Sequence, residues 1–121
     1  MLGWASFGGL MSGTSEEIFF RGLLQTFLAR AWKSSIRISK LKVPTAGLIA
    51  ALIFAYAHME INFTPFSVDF STLQVTLAFI LGVFYSIAYE RTRSLIAPVV
   101  SHNFANLVQY LIAGLTLALY S

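Results

Sequence analysis

The chain has 121 residues, no cysteine and a formal net charge of +3, with 57% hydrophobic and only 11% charged residues. Soluble domains carry about 25% charged residues, and so short a chain has too little interior to bury this much apolar surface. A mean hydropathy of +0.74 therefore favours an integral membrane protein over a soluble helical subunit with a large obligate interface, and the missing cysteines exclude a disulfide framework or thiolate metal site.

A bilayer-spanning helix needs roughly 20 mostly apolar residues, and four segments come close. The first, residues 1–32, is interrupted near its middle by Glu16, Glu17 and Arg21. Its Gly9 and Gly13 have the small-xxx-small spacing that lets helices approach. A basic connector follows, with Arg30, Lys33, Arg37, Lys40 and Lys42 and no acid, which the positive-inside bias places in the cytoplasm. Lying between membrane-like segments, this run does not suit nucleic acid, and no nucleic-acid partner is expected. The second segment, residues 43–59, is entered through Pro44, a residue suited to a first helical turn. The next connector, residues 60–70, contains Asn62, Pro65 and Asp69 and no basic residue, as expected outside. The third segment is 71–89, and Glu90-Arg91-Thr92-Arg93 returns the chain to the cytoplasmic side. The fourth is 94–121, whose helix is expected to begin near Pro98 because Ala97 is biased away from helix. The runs are continuously apolar rather than alternating, which disfavours a β-barrel. The expected fold is all-α: a polytopic transmembrane bundle of about four helices, one domain over residues 1–121, in a bacterial or archaeal cell membrane.

Charged residues inside apolar segments are costly, and are usually paired and functional. Glu17 and Arg21 are four apart with the acid first, the favourable order for a helical ion pair. Glu16 is turned about 100° away, so one carboxylate can be held by arginine while the other acts as a general base. The two histidines, His58 and His102, both lie in apolar segments. A single such histidine is often only a packing residue; two beside an acid pair point to chemistry. His102 and Asn106 share a helical face and can donate to an oxyanion or hold a substrate carbonyl, whereas Asn103 faces elsewhere and reads as structural. The candidate set is Glu16, Glu17, Arg21, His58, His102 and Asn106, suited to activating water against a carbonyl. The sequence has no phosphate loop and no nucleophile elbow.

Together these motifs resemble the CAAX prenyl endopeptidase and bacteriocin-processing family of intramembrane proteases, also called CPBP or Abi. The resemblance rests on Glu-Glu-x-x-x-Arg at Glu16, Glu17 and Arg21, Phe-x-x-x-His at Phe54 and His58, and His-x-x-x-Asn at His102 and Asn106, and covers residues 15–106. It implies a helical membrane protease whose partners are the lipid bilayer and a membrane-associated peptide or prenylated protein. It also implies that Glu16 and His58 activate water, that His102 and Asn106 stabilise the oxyanion, and that Glu17 and Arg21 form a supporting pair. The family is often labelled a metalloprotease, and Glu16, His58 and His102 could ligate a divalent zinc ion. The His-Glu-x-x-His helix of the zincins is missing, and a metal-free glutamate–histidine mechanism explains the same residues, so no cofactor is assigned.

Family members usually carry more membrane helices before the Glu-Glu motif. The chain is accordingly expected to be an abbreviated member or the C-terminal piece of a longer protein, and a second copy in a homo-oligomer could complete its cavity. Two non-proteolytic readings use the same residues: an immunity or scaffold protein that keeps the polar core for packing, and a small transporter or proton relay.

Overall fold

The computed structural model describes residues 11–120; Gly9, and with it the Gly9–Gly13 spacing, lies outside the described residues. Helix α1 is made of three consecutive segments: α-helical Gly13–Glu17, π-helical Ile18–Gln25 and α-helical Thr26–Ala31. π-Turns are rare and are found mostly at functional sites. One side-chain bond follows the wider turn, with Thr26 Oγ1 donating to the Arg21 carbonyl at 2.9 Å. Helix α2 (Thr45–Tyr56) has 12 residues, about 18 Å at a rise of about 1.5 Å per residue. That is short of the roughly 30 Å hydrocarbon layer. Helices α3 (Thr72–Thr92) and α4 (Ile96–Tyr120) are long and apolar enough to cross a membrane. The chain is mostly helical, and two of its four helices, rather than all four, are candidate spans among the described residues.

The all-α expectation needs correction at both long connectors, which fold as antiparallel hairpins. Strands β1 (Ser35–Ile38) and β2 (Leu41–Pro44) pair from Ser35 opposite Pro44 to Ile38 opposite Leu41. Ser39 turns between them with φ of 57°. Strands β3 (Glu60–Phe63) and β4 (Phe66–Asp69) pair around Thr64-Pro65. Ile36 and Ile38 alternate with Arg37, and Ile61 and Phe63 alternate with Asn62, the period-2 pattern of a strand with one apolar face. These runs are brief enough to read as loops when only charge is followed.

The start of α4 follows from proline geometry. Pro98 lies in its first turn, where a missing N–H costs no intrahelical bond. The helix begins at Ile96, two residues before the position expected.

Packing against α3 depends on small residues. A side chain on Gly82 would meet Ala51 Cα and Cβ and Phe54 Cδ1, each at 3.2 Å, and one on Gly47 would meet Ser86 Cβ at 2.9 Å. Ser86 Oγ donates to the Gly47 carbonyl at 3.1 Å and the Gly82 carbonyl at 2.9 Å, which ties α2 to α3. Phe20, Phe54, Ala55 and Ala78 form the buried cluster where α1, α2 and α3 meet. The outer faces are apolar and open. In the most apolar window of α3 only 22% of residues are buried, and in that of α4 none. A soluble core helix of this composition would be covered, so these faces need lipid or another chain.

Replacing Gly82 by valine is expected to push α2 from α3 and to destabilise the fold by about 1–3 kcal/mol, the usual cost of overpacking. Thermal unfolding of the purified chain in detergent measures it; an unchanged midpoint would mean that the seam yields without cost.

Candidate active site

The site grows from α1. Glu17, Arg21 and Gln25 recur every four residues and are 0%, 0% and 1% exposed. The Arg21 and Gln25 side chains face α3 and bond to its backbone carbonyls at Gly82 and Ser86. Arg21 Nη2 donates to the Gly82 carbonyl at 2.6 Å, and Gln25 Nε2 to the Ser86 carbonyl at 3.3 Å. Arg21 also pairs with Glu17: Nη1 donates to Oε1 at 3.2 Å, and Nε lies 3.2 Å from Oε2 at ion-pair distance. The Nε contact lacks hydrogen-bond alignment, so the Nη1 bond is the directional one. The guanidinium sits among three aromatic rings, 5.0 Å from the Phe54 centroid, 5.5 Å from Tyr85 and 5.9 Å from Phe20. Cation–π attraction of this kind strengthens on desolvation.

His102 approaches the same carboxylate from α4. Its Nδ1 lies 2.8 Å from Glu17 Oε1. Glu17 is the ion-pair acceptor of Arg21, and the tautomer that suits it donates from Nδ1 and leaves Nε2 as the nitrogen facing Glu16. Nε2 is 3.9 Å from Glu16 Oε2. The ring is stacked on Tyr85, with centroids 5.0 Å apart and planes at 15°, and meets Phe54 edge-on at 5.5 Å. Glu17 thus fixes the tautomer, and Tyr85 and Phe54 fix the plane. Asn103, the next residue, donates from Nδ2 to Thr14 Oγ1 at 3.1 Å and pins α4 to α1.

Glu16 differs from its neighbour. Its side chain is 32% exposed and accepts a bond from Ser12 Oγ at 2.7 Å. Consecutive residues on a helix face different directions, so one glutamate is sealed in the ion pair while the other stays open.

A cavity of about 250 Å³ lies on the other side of His102, lined by Phe54, His58, Tyr85, His102, Asn106 and Gln109 among others. His58 joins it from the end of α2, with Nδ1 2.8 Å from the Phe54 carbonyl and its ring 4.7 Å from that of Phe54. The structure therefore gathers Glu16, Glu17, Arg21 and His102 in one polar cluster, and His58, His102 and Asn106 around one cavity. His102 is common to both groups. Glu16 does not line the cavity, and its histidine neighbour is His102 rather than His58. Among the described residues no three His, Cys, Asp or Glu side chains are arranged to hold a metal ion. The trio Glu16, His58 and His102 does not fit zinc in this arrangement, and no step is routed through one.

Tyr85 and Gln25 were not singled out from the sequence. Each sits in an apolar run, four residues from another polar or small residue of the same face. Tyr85 is 1% exposed and its hydroxyl has no hydrogen-bond partner among the described residues.

A carboxylate beside a histidine is an arrangement that can exchange protons with water. The chain belongs to the family described as Rce1-like, Type II CAAX prenyl endopeptidase Rce1-like, which matches residues 1–108. This establishes the resemblance carried by the three motifs. The family is one of integral-membrane peptidases. Neither a curated protein nor a solved structure matches the chain.

Arg21→Ala would leave Glu17 buried without its cation, a loss of about 3–5 kcal/mol, read as collapse of the folded fraction in detergent. Tyr85→Phe removes an unpartnered hydroxyl and is expected to shift stability by less than about 1 kcal/mol, measured in the same unfolding assay.

Proposed function

We propose that the chain is an intramembrane endopeptidase that hydrolyses peptide bonds of membrane-associated substrates, of the CAAX-type prenylated or peptide-precursor kind, with water activated by its own side chains. The observation that carries this reading is His102. It is locked by Glu17 on one nitrogen and directs the other toward Glu16, at the wall of a cavity shared with His58 and Asn106.

In this mechanism water sits between a carboxylate and the substrate carbonyl. Glu16 takes the proton as the water oxygen bonds to the carbonyl carbon, with His58 orienting the water from the cavity side. The carbonyl oxygen becomes an oxyanion and is held by the Asn106 amide N–H and, in the ring form that carries a proton on both nitrogens, by His102 Nε2–H, the kind of pre-aimed donors that supply much of the rate in acyl transfer. The intermediate collapses with cleavage of the C–N bond, and the proton held by Glu16 passes to the departing amine. Glu17 and Arg21 act through His102: they hold its tautomer and position, much as a buried acid orients the histidine of a hydrolase triad. Four helices in or against the bilayer, with α3 and α4 crossing it and the basic connectors in the cytoplasm, would hold these groups at membrane depth.

One observation favours a second reading. Glu16 lies beside His102 but outside the cavity wall, and the ion pair and hydrogen bonds of the interior cluster tie α1, α3 and α4 together whether or not a substrate binds. A non-catalytic immunity or scaffold protein that keeps the family's polar core would look the same.

The test compares the chain with Glu16→Gln and His102→Ala at matched membrane levels, with peptide termini across the host membrane proteome read by mass spectrometry. Glu16→Gln should insert and fold, because that carboxylate is partly exposed, yet lose at least about 100-fold in cleavage, the lower range for a general base. New termini that persist in Glu16→Gln would overturn its assignment as the base. If intact chain and variants give identical termini while a protective phenotype survives in both variants, the scaffold reading replaces the protease.

A further inference from the structure

The largest cavity described is not at the histidines. It has about 450 Å³ and lies between the β1–β2 hairpin and the connector from α3 to α4, with Lys33, Lys40, Lys42, Arg91 and Arg93 around it and Glu90 as its one acid. Arg93 is paired with Glu90 at 2.6 Å. Among the described residues the other four cations have no ion-pair partner, so the cavity carries an uncompensated positive charge.

We propose that this cavity is a headgroup site for an anionic phospholipid. Three independent features converge on that occupant. The first is depth. Helix α3 ends at Thr92 and α4 begins at Ile96, so the connector marks the common end of the two candidate spans, the level at which lipid phosphates lie. This premise is the membrane placement of α3 and α4; the proposal does not depend on peptidase activity.

The second feature is the hairpin. Cross-strand register puts Ile36 opposite Val43 and Ile38 opposite Leu41, and alternation places all four on one face. Val43 anchors in the core at 2% exposure, while Ile36, Ile38 and Leu41 remain 50%, 57% and 44% exposed. Trp32, on the cavity wall, is 57% exposed. Apolar β-residues and a tryptophan beside lysines are the composition of an element lying in the membrane interface, where long cationic side chains reach the phosphates.

The third is chemistry. Lysines and arginines line a space that also has an apolar wall of Ala29, Trp32 and Pro44. A phosphodiester with its glycerol backbone presents charge and an apolar stem together. Inorganic phosphate has the charge but nothing for that wall. Basic residues at this depth each contribute attraction to anionic lipid, and clusters of them define lipid sites.

The experiment uses the full chain in nanodiscs of phosphatidylcholine with rising phosphatidylglycerol. Trp4→Phe makes Trp32 the only tryptophan, since the chain has two. Its emission and the lipids retained in native mass spectrometry are the readouts. Expected is saturable retention of one phosphatidylglycerol per chain with a matching change at Trp32. Lys40→Gln with Lys42→Gln should weaken it about tenfold or more. Arg91→Gln, on the other wall, should weaken it in the same direction even if the lysine variant disturbs the hairpin. Arg30→Gln with Arg37→Gln removes equal charge from the same connector outside the cavity and should change affinity by less than about twofold. Equal losses in both double variants would mean diffuse surface attraction and overturn the site. So would equal retention of phosphatidylcholine. If inorganic phosphate in detergent produces the same Trp32 change at the same concentration, the site is for soluble anions and the lipid assignment fails. Because no arm requires cleavage, a negative result leaves the peptidase reading untouched, and loss of peptidase activity leaves this one untouched.

Discussion

A buried carboxylate must have a cation, and in this fold that requirement organises three helices. Glu17 is sealed from solvent and Arg21 answers it from one turn along. The guanidinium then has donors left over, and they must be satisfied in turn. One goes to the Gly82 carbonyl of α3, at the position where the missing side chain lets α2 pack close through Ala51 and Phe54. The carboxylate has acceptor capacity left over, and His102 of α4 takes it. The ion pair is thus a junction: its unused hydrogen-bonding capacity sets where α3 and α4 sit against α1. Buried pairs of this kind add little net stability, because desolvation offsets much of the attraction. Their consequence here is placement, since a rotated α4 would leave Glu17 and His102 without each other.

The same junction separates two roles that the sequence puts side by side. Glu16 and Glu17 are neighbours in the chain, yet one is fixed by arginine and histidine, and the other, among the described residues, takes a bond from Ser12 and stands 3.9 Å from His102 at the edge of solvent. A group held on every side can position; a group with open lone pairs can exchange protons with water. His102 connects the two through its opposite nitrogens, which makes its orientation the feature on which any chemistry depends. Tyr85 and Phe54 restrict that orientation by packing on the ring, so aromatic residues of α2 and α3 take part in the site without contributing a titrating group to it.

Much of this was legible from spacing. The acid-first, four-residue interval of Glu17 and Arg21 states an ion pair, and the wheel offset of Glu16 states that it points away. His102 and Asn106 share a face for the same reason. Other features depend on tertiary contact and leave weaker marks. Gly82 and Ser86 are a small-xxx-small pair in α3, but the spacing is common, and only the arginine and glutamine facing it give it meaning. Tyr85 reads as one more apolar residue until a histidine is seen stacked on it. The hairpins were obscured because charge dominated the reading of both connectors, although Ile36, Arg37 and Ile38 carry the strand alternation plainly. Among the described residues the span count is met by two helices of the four, for a different reason. An apolar run from residue 43 to 59 is long enough on paper, but strand β2 takes its start and strand β3 follows directly after it, leaving α2 only 12 residues.

That short helix also resolves a mismatch of depth. Counted from the basic connectors, His58 should lie several ångströms deeper than His102, about 20 Å against about 12 Å at a helical rise of about 1.5 Å per residue. A late start to α4 does not close the gap, because the helix begins at Ile96. The cavity closes it instead. His102, Asn106 and Gln109 all line it, so it runs along about 10 Å of α4 at the same rise per residue. His58 and His102 both line it, and the Phe54 ring is in contact with both, so one shared wall bridges the difference in depth.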